Sequence, residues 1–139
     1  MNDNKPIELA CIIDDDKIYV SLVKRIIESK NLSRELLIFS NGKEALDYFE
    51  KVFNGPRNIR VPNIILLDLN MPVMDGWQFL EHFMKIEKRH QKVITLYIVS
   101  SSIDPNDVAK AHDLSSVSGY IIKPVMPKEL ETLFKQEVD

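Results

Sequence analysis

Asn63-Ile64-Ile65-Leu66-Leu67-Asp68-Leu69-Asn70-Met71-Pro72-Val73-Met74-Asp75-Gly76 decides how this chain folds. The apolar run before Asp68 is short, β-branched in part and bounded by Pro62 and Pro72, which favours a strand buried on both faces over a helix. The run stops at a carboxylate, and a proline-containing turn then leads to a fresh helix start at Asp75. Asp68 therefore stands where a strand leaves its sheet. In a parallel α/β sheet, ligands bind outside the carboxyl ends of the strands, so a carboxylate there is placed for chemistry rather than packing.

The flanking sequence repeats the same pattern. Glu8-Leu9-Ala10-Cys11-Ile12-Ile13 predicts a first strand that ends in Asp14-Asp15-Asp16. Ile18, Leu22, Val23, Ile26 and Ile27 then recur at helical spacing, so three acids fall at a strand-to-helix junction, near the positive end of the helix dipole. Glu35 to Phe39 predicts a second strand, and Asn41 with Glu44 fits a capping box opening a helix faced by Ala45, Leu46, Phe49, Val52 and Phe53. Asn54 to Pro62 reads as a solvated connector on the face away from the strand ends. Asp75 and Gln78 form another cap, before a helix carrying Trp77, Leu80, Phe83 and Met84. Val93 to Val99 predicts a fourth strand leading into Ser100-Ser101-Ser102. Asp104-Pro105-Asn106-Asp107 opens a helix whose apolar side, Val108, Ala111 and Leu114, is thin. Gly119 to Ile122 is a short fifth strand ending at Lys123-Pro124, and a last helix from about Pro127 buries Leu130, Leu133 and Phe134. Five alternations of strand and helix imply a parallel sheet covered by helices on both sides.

Size and composition limit the function. The 139 residues suffice for one buried core and are too few for two ordinary domains, so residues 1–139 are read as a single domain. Hydrophobic residues at 45% and charged residues at 28% match a globular chain. No apolar run approaches the roughly 20 residues of a membrane span, and the N-terminus lacks the form of a signal peptide, so a cytoplasmic protein without membrane insertion is expected. Cys11 is the only cysteine, which excludes an intrachain disulfide and a cysteine metal site and reads as a core thiol. A formal charge of −3 supplies no basic field for direct nucleic-acid binding.

Four of the predicted strands end in polar residues of complementary kinds: Asp14-Asp15, Asp68, Ser100 and Lys123. Each alone reads as the start of a loop. Together they describe a crevice with carboxylates on one side and a hydroxyl and an ammonium on the other. Two carboxylates about 5 Å apart repel by roughly 3 kcal/mol at an effective dielectric near 20, and a divalent cation relieves that strain. With oxygen ligands and no nearby His or Cys, Mg²⁺ fits better than zinc, with Mn²⁺ as an alternative. A cation beside Asp68 can bridge it to a phosphoryl group, with Lys123 and Ser100 on the remaining oxygens. Asp68 would be the nucleophile of an acyl phosphate.

The motifs Ile12-Ile13-Asp14-Asp15-Asp16, Leu66-Leu67-Asp68-Leu69-Asn70-Met71-Pro72-Val73-Met74-Asp75-Gly76, the Ser100 strand end and Gly119-Tyr120-Ile121-Ile122-Lys123-Pro124 closely resemble the receiver domain of two-component response regulators. The resemblance runs from about Glu8 to Phe134, with the motifs in order and correctly spaced. It implies a flavodoxin-like (βα)5 three-layer sandwich with strand order 2-1-3-4-5. It also implies Asp68 as phosphoacceptor, Asp15 as direct Mg²⁺ ligand, Asp14 acting largely through water, and Asn70 ligating through its backbone carbonyl. Asp16 is left as a helix-start acid. Ser100 matches a position where the family more often has Thr, Lys123 matches the phosphate-contacting lysine, and the Lys123-Pro124 bond is expected to be cis. Tyr120 matches the aromatic that turns inward when Ser100 moves, against the plainer reading of an edge-strand tyrosine.

The resemblance further implies a stand-alone receiver that is no conventional enzyme but catalyses its own phosphorylation and slow dephosphorylation, with Asn70 and Ser102 setting the rate. A histidine kinase or phosphotransfer protein would be the donor. With no output domain following the last helix, the signal would pass through the surface of the fourth helix, fifth strand and fifth helix, to an output protein or a second copy. An aspartate-nucleophile phosphatase would need an acid where Asn70 stands. A receiver-shaped module that is never phosphorylated would be expected to lack site residues. An FMN protein would not place acids beside its phosphate. His82, His90 and His112 read as surface residues, Trp77 as packing, and Lys85 to Arg89 as a solvated helix end.

Overall fold

The computed structural model describes residues 5–55, 60–87 and 94–137. Its strands are β1 (Ile7–Ile13), β2 (Ser33–Phe39), β3 (Ile64–Leu67), β4 (Thr95–Ser100) and β5 (Gly119–Ile122). They alternate with the helices α1 (Lys17–Ser29), α2 (Gly42–Asn54), α3 (Gly76–Glu87), α4 (Pro105–His112) and α5 (Pro127–Gln136). All pairings are parallel, in the order β2-β1-β3-β4-β5, the flavodoxin-like arrangement expected from the sequence. β1 starts at Ile7 and β2 at Ser33, slightly before the predicted positions, while β4 runs on through Ser100. Val93, expected to open the fourth strand, lies outside the described residues.

Strand alternation sorts the core into two layers. Cys11, Ile13, Ile65, Leu67, Leu96 and Ile98 face α2 and α3, where Phe49, Phe79 and Phe83 form an edge-to-face and stacked aromatic group. Ala10, Ile12, Ile64, Leu66, Val99 and Ile121 face α1 and α5. Cys11 is fully buried, and burial pushes its thiol far above the ordinary value, as a core cysteine requires. Phe79, outside the apolar set expected for this helix, is as deeply buried as Phe83.

Helix starts follow the predicted chemistry. Asn41 Oδ1 accepts from the Glu44 N–H at 2.9 Å, and Asp75 and Gln78 cap each other reciprocally at 3.0 and 2.8 Å. Asp16 accepts from the Ile18 and Tyr19 N–H groups, both at 3.1 Å, which makes it the helix-start acid of α1. α4 buries Ala111 alone, consistent with its thin apolar side. The apolar face of α1 differs from expectation: Ile18 is 85% exposed and Leu22 49%, while Val20, Val23, Ile26 and Ile27 are buried. Val20, Val23 and Ile27 fall within about 60° of one another around the helix, whereas Ile18 and Leu22 lie about 100° or more from each of them, on the side turned to solvent.

The connector after α2 is less free than predicted. Pro56 to Ile59 lie outside the described residues, but Pro62 is buried and the Arg60 guanidinium pairs with Glu35 and reaches Glu8. Arg60 thus ties the connector across the starts of β1 and β2.

The loop between β3 and α3 is held firmly. Gly42 N–H donates to the Met74 carbonyl at 3.0 Å and Gly76 N–H to the Leu69 carbonyl at 2.9 Å. A Cβ at Gly76 would collide with the Asp68 carbonyl oxygen, so only glycine lets α3 begin this close to the site. Between these anchors Val73 has φ 68, a left-handed backbone rare for a β-branched residue, and it spans a Met74 N–H to Pro72 carbonyl bond of 2.7 Å. Val73 is exposed, so its side chain gains little in return for the strain. Val73→Gly is expected to stabilise the protein by about 1 kcal/mol in urea unfolding; a loss of that size would show that the turn is not strained.

Candidate phosphoryl-acceptor site

Strand register assembles the site. Ile13 pairs with Leu67, so the next residue of each strand, Asp14 and Asp68, emerges side by side at one sheet edge. The Asp68 N–H continues the ladder to the Ile13 carbonyl at 2.9 Å. Ser100 pairs with Ile122, and the Lys123 N–H donates to the Ser100 carbonyl at 2.9 Å, which brings Lys123 to the same rim. Residue parity turns Asp14, Asp68 and Lys123 toward the layer covered by α1 and α5.

One carboxylate oxygen from each of Asp14, Asp15 and Asp68 lies within 4.8 Å of the others. Asp14 and Asp68 are buried, whereas Asp15 is exposed. Lys123 Nζ stands 2.8 Å from Asp14 Oδ2 and 3.7 Å from Asp68 Oδ1. Asp14 Oδ1 also accepts from the Asp16 N–H at 3.0 Å, and Asp68 Oδ1 from the Leu69 N–H at 2.9 Å. Burial, then the neighbouring Asp14 charge, push the Asp68 carboxyl up to about 6, against the opposing pull of Lys123 and of the Leu69 and Asn70 backbone N–H groups. Burial raises Asp14 as well, with Lys123 opposing. Two buried acids thus share one lysine, and the cluster keeps an excess of negative charge.

The donor set fits a hard divalent cation. All three donors are oxygens, one from each side chain lying within 4.8 Å of the others, as a cation of that kind requires. Mg²⁺ or Mn²⁺ here would be held by the three carboxylates and would neutralise the charge that Lys123 leaves uncompensated.

The remaining predicted residues surround this cluster without joining it. Ser100 is fully buried, and its Oγ accepts from the Ser102 N–H at 3.1 Å. Tyr120 is half-buried, and its hydroxyl donates to the Ser102 carbonyl at 2.9 Å. Ser102 Oγ turns to Asp107 Oδ2 at 2.7 Å. The β4–α4 loop is therefore knit together by the serines and Tyr120, and among the described residues none of these hydroxyls bonds a site carboxylate. Asn70 is exposed beside Asp68. The Lys123-Pro124 bond is cis, as expected. His82 and His112 are exposed, and His90 lies outside the described residues. Trp77 is partly buried, with Lys110 Nζ 4.5 Å from its ring centroid.

Tyr19 belongs to the site, although nothing in the sequence singled it out. Lys123 Nζ sits 4.3 Å from its ring centroid. A lone tyrosine in an amphipathic helix reads as packing; only its place four residues after Asp15, on the side of α1 facing the strand ends, could have marked it.

A parallel sheet with acids at the ends of adjacent central strands and a lysine from the fifth is the arrangement of a receiver. The chain belongs to the response regulator receiver domain family, whose match spans residues 10–135. It is similar to the response regulator Rcp1 of Synechocystis, 28% identical over 137 residues that cover 96% of this chain and 86% of Rcp1. A crystal structure described as the Mn²⁺-bound form of Rcp1 superposes with a TM-score of 0.71 at 26% identity, covering 93% of this chain and 90% of that one. A two-component response regulator from Cytophaga hutchinsonii superposes with a TM-score of 0.84 at 28% identity, covering 96% and 98%. The phosphorylated cyanobacterial phytochrome response regulator RcpA gives 0.73 at 26% identity, covering 94% and 90%. No helix among the described residues is long and apolar enough to cross a membrane.

Proposed function

We propose that this chain accepts a phosphoryl group on Asp68 from a histidine kinase or phosphotransfer protein, in a Mg²⁺-dependent reaction, and signals through the surface formed by α4, β5 and α5. The observation that carries the reading is the convergence of three carboxylates within 4.8 Å on a lysine 2.8 and 3.7 Å from two of them. The Mn²⁺-bound Rcp1 and phosphorylated RcpA support the same chemistry in relatives of similar fold.

In this mechanism a bound Mg²⁺ supplies charge neutralisation at the developing phosphoryl oxygens. Asp68 Oδ attacks phosphorus in line, and the bond from phosphorus to the donor nitrogen or oxygen breaks, the electron pair leaving with the donor. The Leu69 and Asn70 N–H groups and the buried sheet edge hold the Asp68 carboxylate in place for that attack. Lys123 turns from Asp14 toward the new phosphoryl oxygens, and the Ser100 hydroxyl leaves the Ser102 N–H to bind another. Tyr120, joined to the Ser102 carbonyl, follows that loop. The change reaches α4, the least buried helix, and a surface on which Ile122 and Met126 are exposed for an output protein or a second copy. Hydrolysis by water then returns the carboxylate, with Asn70 and Ser102 at the rim setting its rate.

Incubation with Mg²⁺ and a small acyl phosphate is expected to add about 80 Da, the mass of one phosphoryl group, to the wild type and nothing to Asp68→Asn, read by intact-protein mass spectrometry. Equal addition to both proteins would remove Asp68 from its role.

A further inference from the structure

A lysine is a poorly fixed catalytic group. Its four-carbon stem carries substantial rotational freedom, and its ammonium is free to collapse onto whichever anion is nearest. Here the nearest is Asp14, at 2.8 Å, and not Asp68, at 3.7 Å. A third contact to Nζ comes from α1. The Tyr19 ring lies against the ammonium, 4.3 Å from Nζ to centroid, and packs with the apolar layer under β1, β3 and β5. A ring face attracts a cation without accepting a directed N–H bond, so it holds the charge while leaving the N–H donors for oxygens.

The Tyr19 hydroxyl is buried and has no hydrogen-bond partner among the described residues. The surroundings add to the ring's value: Asp14, Asp68, Asp16 and Glu129 all place negative charge near Tyr19, and the site is largely shielded from water, where a cation over an aromatic face is held more strongly than at an exposed surface.

We propose that Tyr19 is a positioning residue for phosphoryl transfer, its ring face holding the Lys123 ammonium at the edge of the carboxylate cluster so that it can pass from Asp14 to a phosphoryl group on Asp68. The proposal rests on Asp68 being the phosphoacceptor. It gives α1 a part in the reaction beyond carrying the acids at its start, and it places the specificity for an aromatic residue at position 19.

The test uses the whole chain with Tyr, Phe, pentafluorophenylalanine or Leu at position 19. Two quantities are read: the rate of modification by a small acyl phosphate at fixed Mg²⁺, and the NMR shift of the Lys123 ammonium, which an adjacent ring face moves upfield. Leu is expected to lower the rate by roughly five- to thirtyfold and to abolish the upfield shift, and Phe to restore both to within about twofold of wild type. Pentafluorophenylalanine keeps the shape of the ring while reversing the charge of its face, so it is expected to lower the rate as Leu does although the protein folds normally. A pentafluoro or Leu variant reacting as fast as wild type would overturn the proposal, as would a wild-type Lys123 ammonium without the ring shift. A wild type that fails to be modified at all would instead contradict the phosphoacceptor reading, and the ring shift on Lys123 would still decide whether Tyr19 holds the ammonium.

Discussion

Asp15→Asn is expected to abolish the response to Mg²⁺ at millimolar concentration while leaving the metal-free protein at least as stable as wild type. The two effects have opposite signs because they draw on the same charge. Asp14 and Asp68 are buried and share Lys123, whereas Asp15 is exposed and has no cationic partner among the described residues. Without a cation, the Asp15 charge only adds to the repulsion acting on Asp14, so its removal relieves the cluster. With Mg²⁺, the same carboxylate would be the ligand least compensated by protein and therefore the most useful. Loss of a group that merely supports a ligand costs roughly ten- to a hundredfold in metal affinity, so loss of a ligand's charge is expected to cost about a hundredfold. Binding to the folded state stabilises by about 2.7 kcal/mol when the metal is at a hundred times its dissociation constant, so wild type melts higher with Mg²⁺ and the variant does not. Calorimetry with a Mg²⁺ titration reads both quantities. A variant that still gains stability from Mg²⁺ as wild type does would place the ion elsewhere.

Lys123→Met is expected to destabilise the metal-free protein by about 3 kcal/mol at pH 8, because it leaves two buried carboxylates without their shared cation. The loss depends on pH, and its sign follows from Asp68. The Asp68 carboxyl is already held up to about 6 by burial and by Asp14, so the folded protein binds a proton that the unfolded chain releases at lower pH. Where the folded state binds more protons, stability falls as pH rises, here through the window from the ordinary carboxylate value to about 6. Removing Lys123 takes away a charge that lowers both acids and extends that window upward. Variant and wild type should therefore differ little near pH 5 and most near pH 8, with Mg²⁺ restoring much of the difference. Urea unfolding at the two pH values, with and without Mg²⁺, measures this. An equal loss at both would mean that the lysine serves packing alone.

The order of elements and the acid cluster were legible because they rest on local signals that tertiary structure did not override. Ile64 to Leu67 is too short and too apolar to be anything but an inner strand, and Asp104-Pro105 and Asp75-Gln78 place helix starts by their own hydrogen bonds. Asp14 and Asp68 are set side by side by the strand order that the family resemblance implies, and the register of β1 on β3 agrees. Where sequence and structure differ, the cause is a property that spacing does not encode. Ile18 and Leu22 have the right period for α1, but period does not say where a buried stripe is centred, and that depends on how the helix lies on the sheet. Val73 carries no mark of its left-handed backbone, which the anchors at Gly42 and Gly76 impose from outside the turn. Tyr19 acquires its place from Lys123, which lies far away in sequence and reaches α1 only through the crossover to β5.

Everything proposed here depends on one carboxylate receiving phosphate only when a cation relieves its neighbours. The most direct test traps the product. The wild type is treated with a small acyl phosphate with and without Mg²⁺, reduced with borohydride to convert any aspartyl phosphate to homoserine, digested and sequenced by mass spectrometry. Homoserine is expected at position 68 alone, and only in the sample that held Mg²⁺. Homoserine at Asp14 or Asp15, or equal conversion of Asp68 without the metal, would contradict the account.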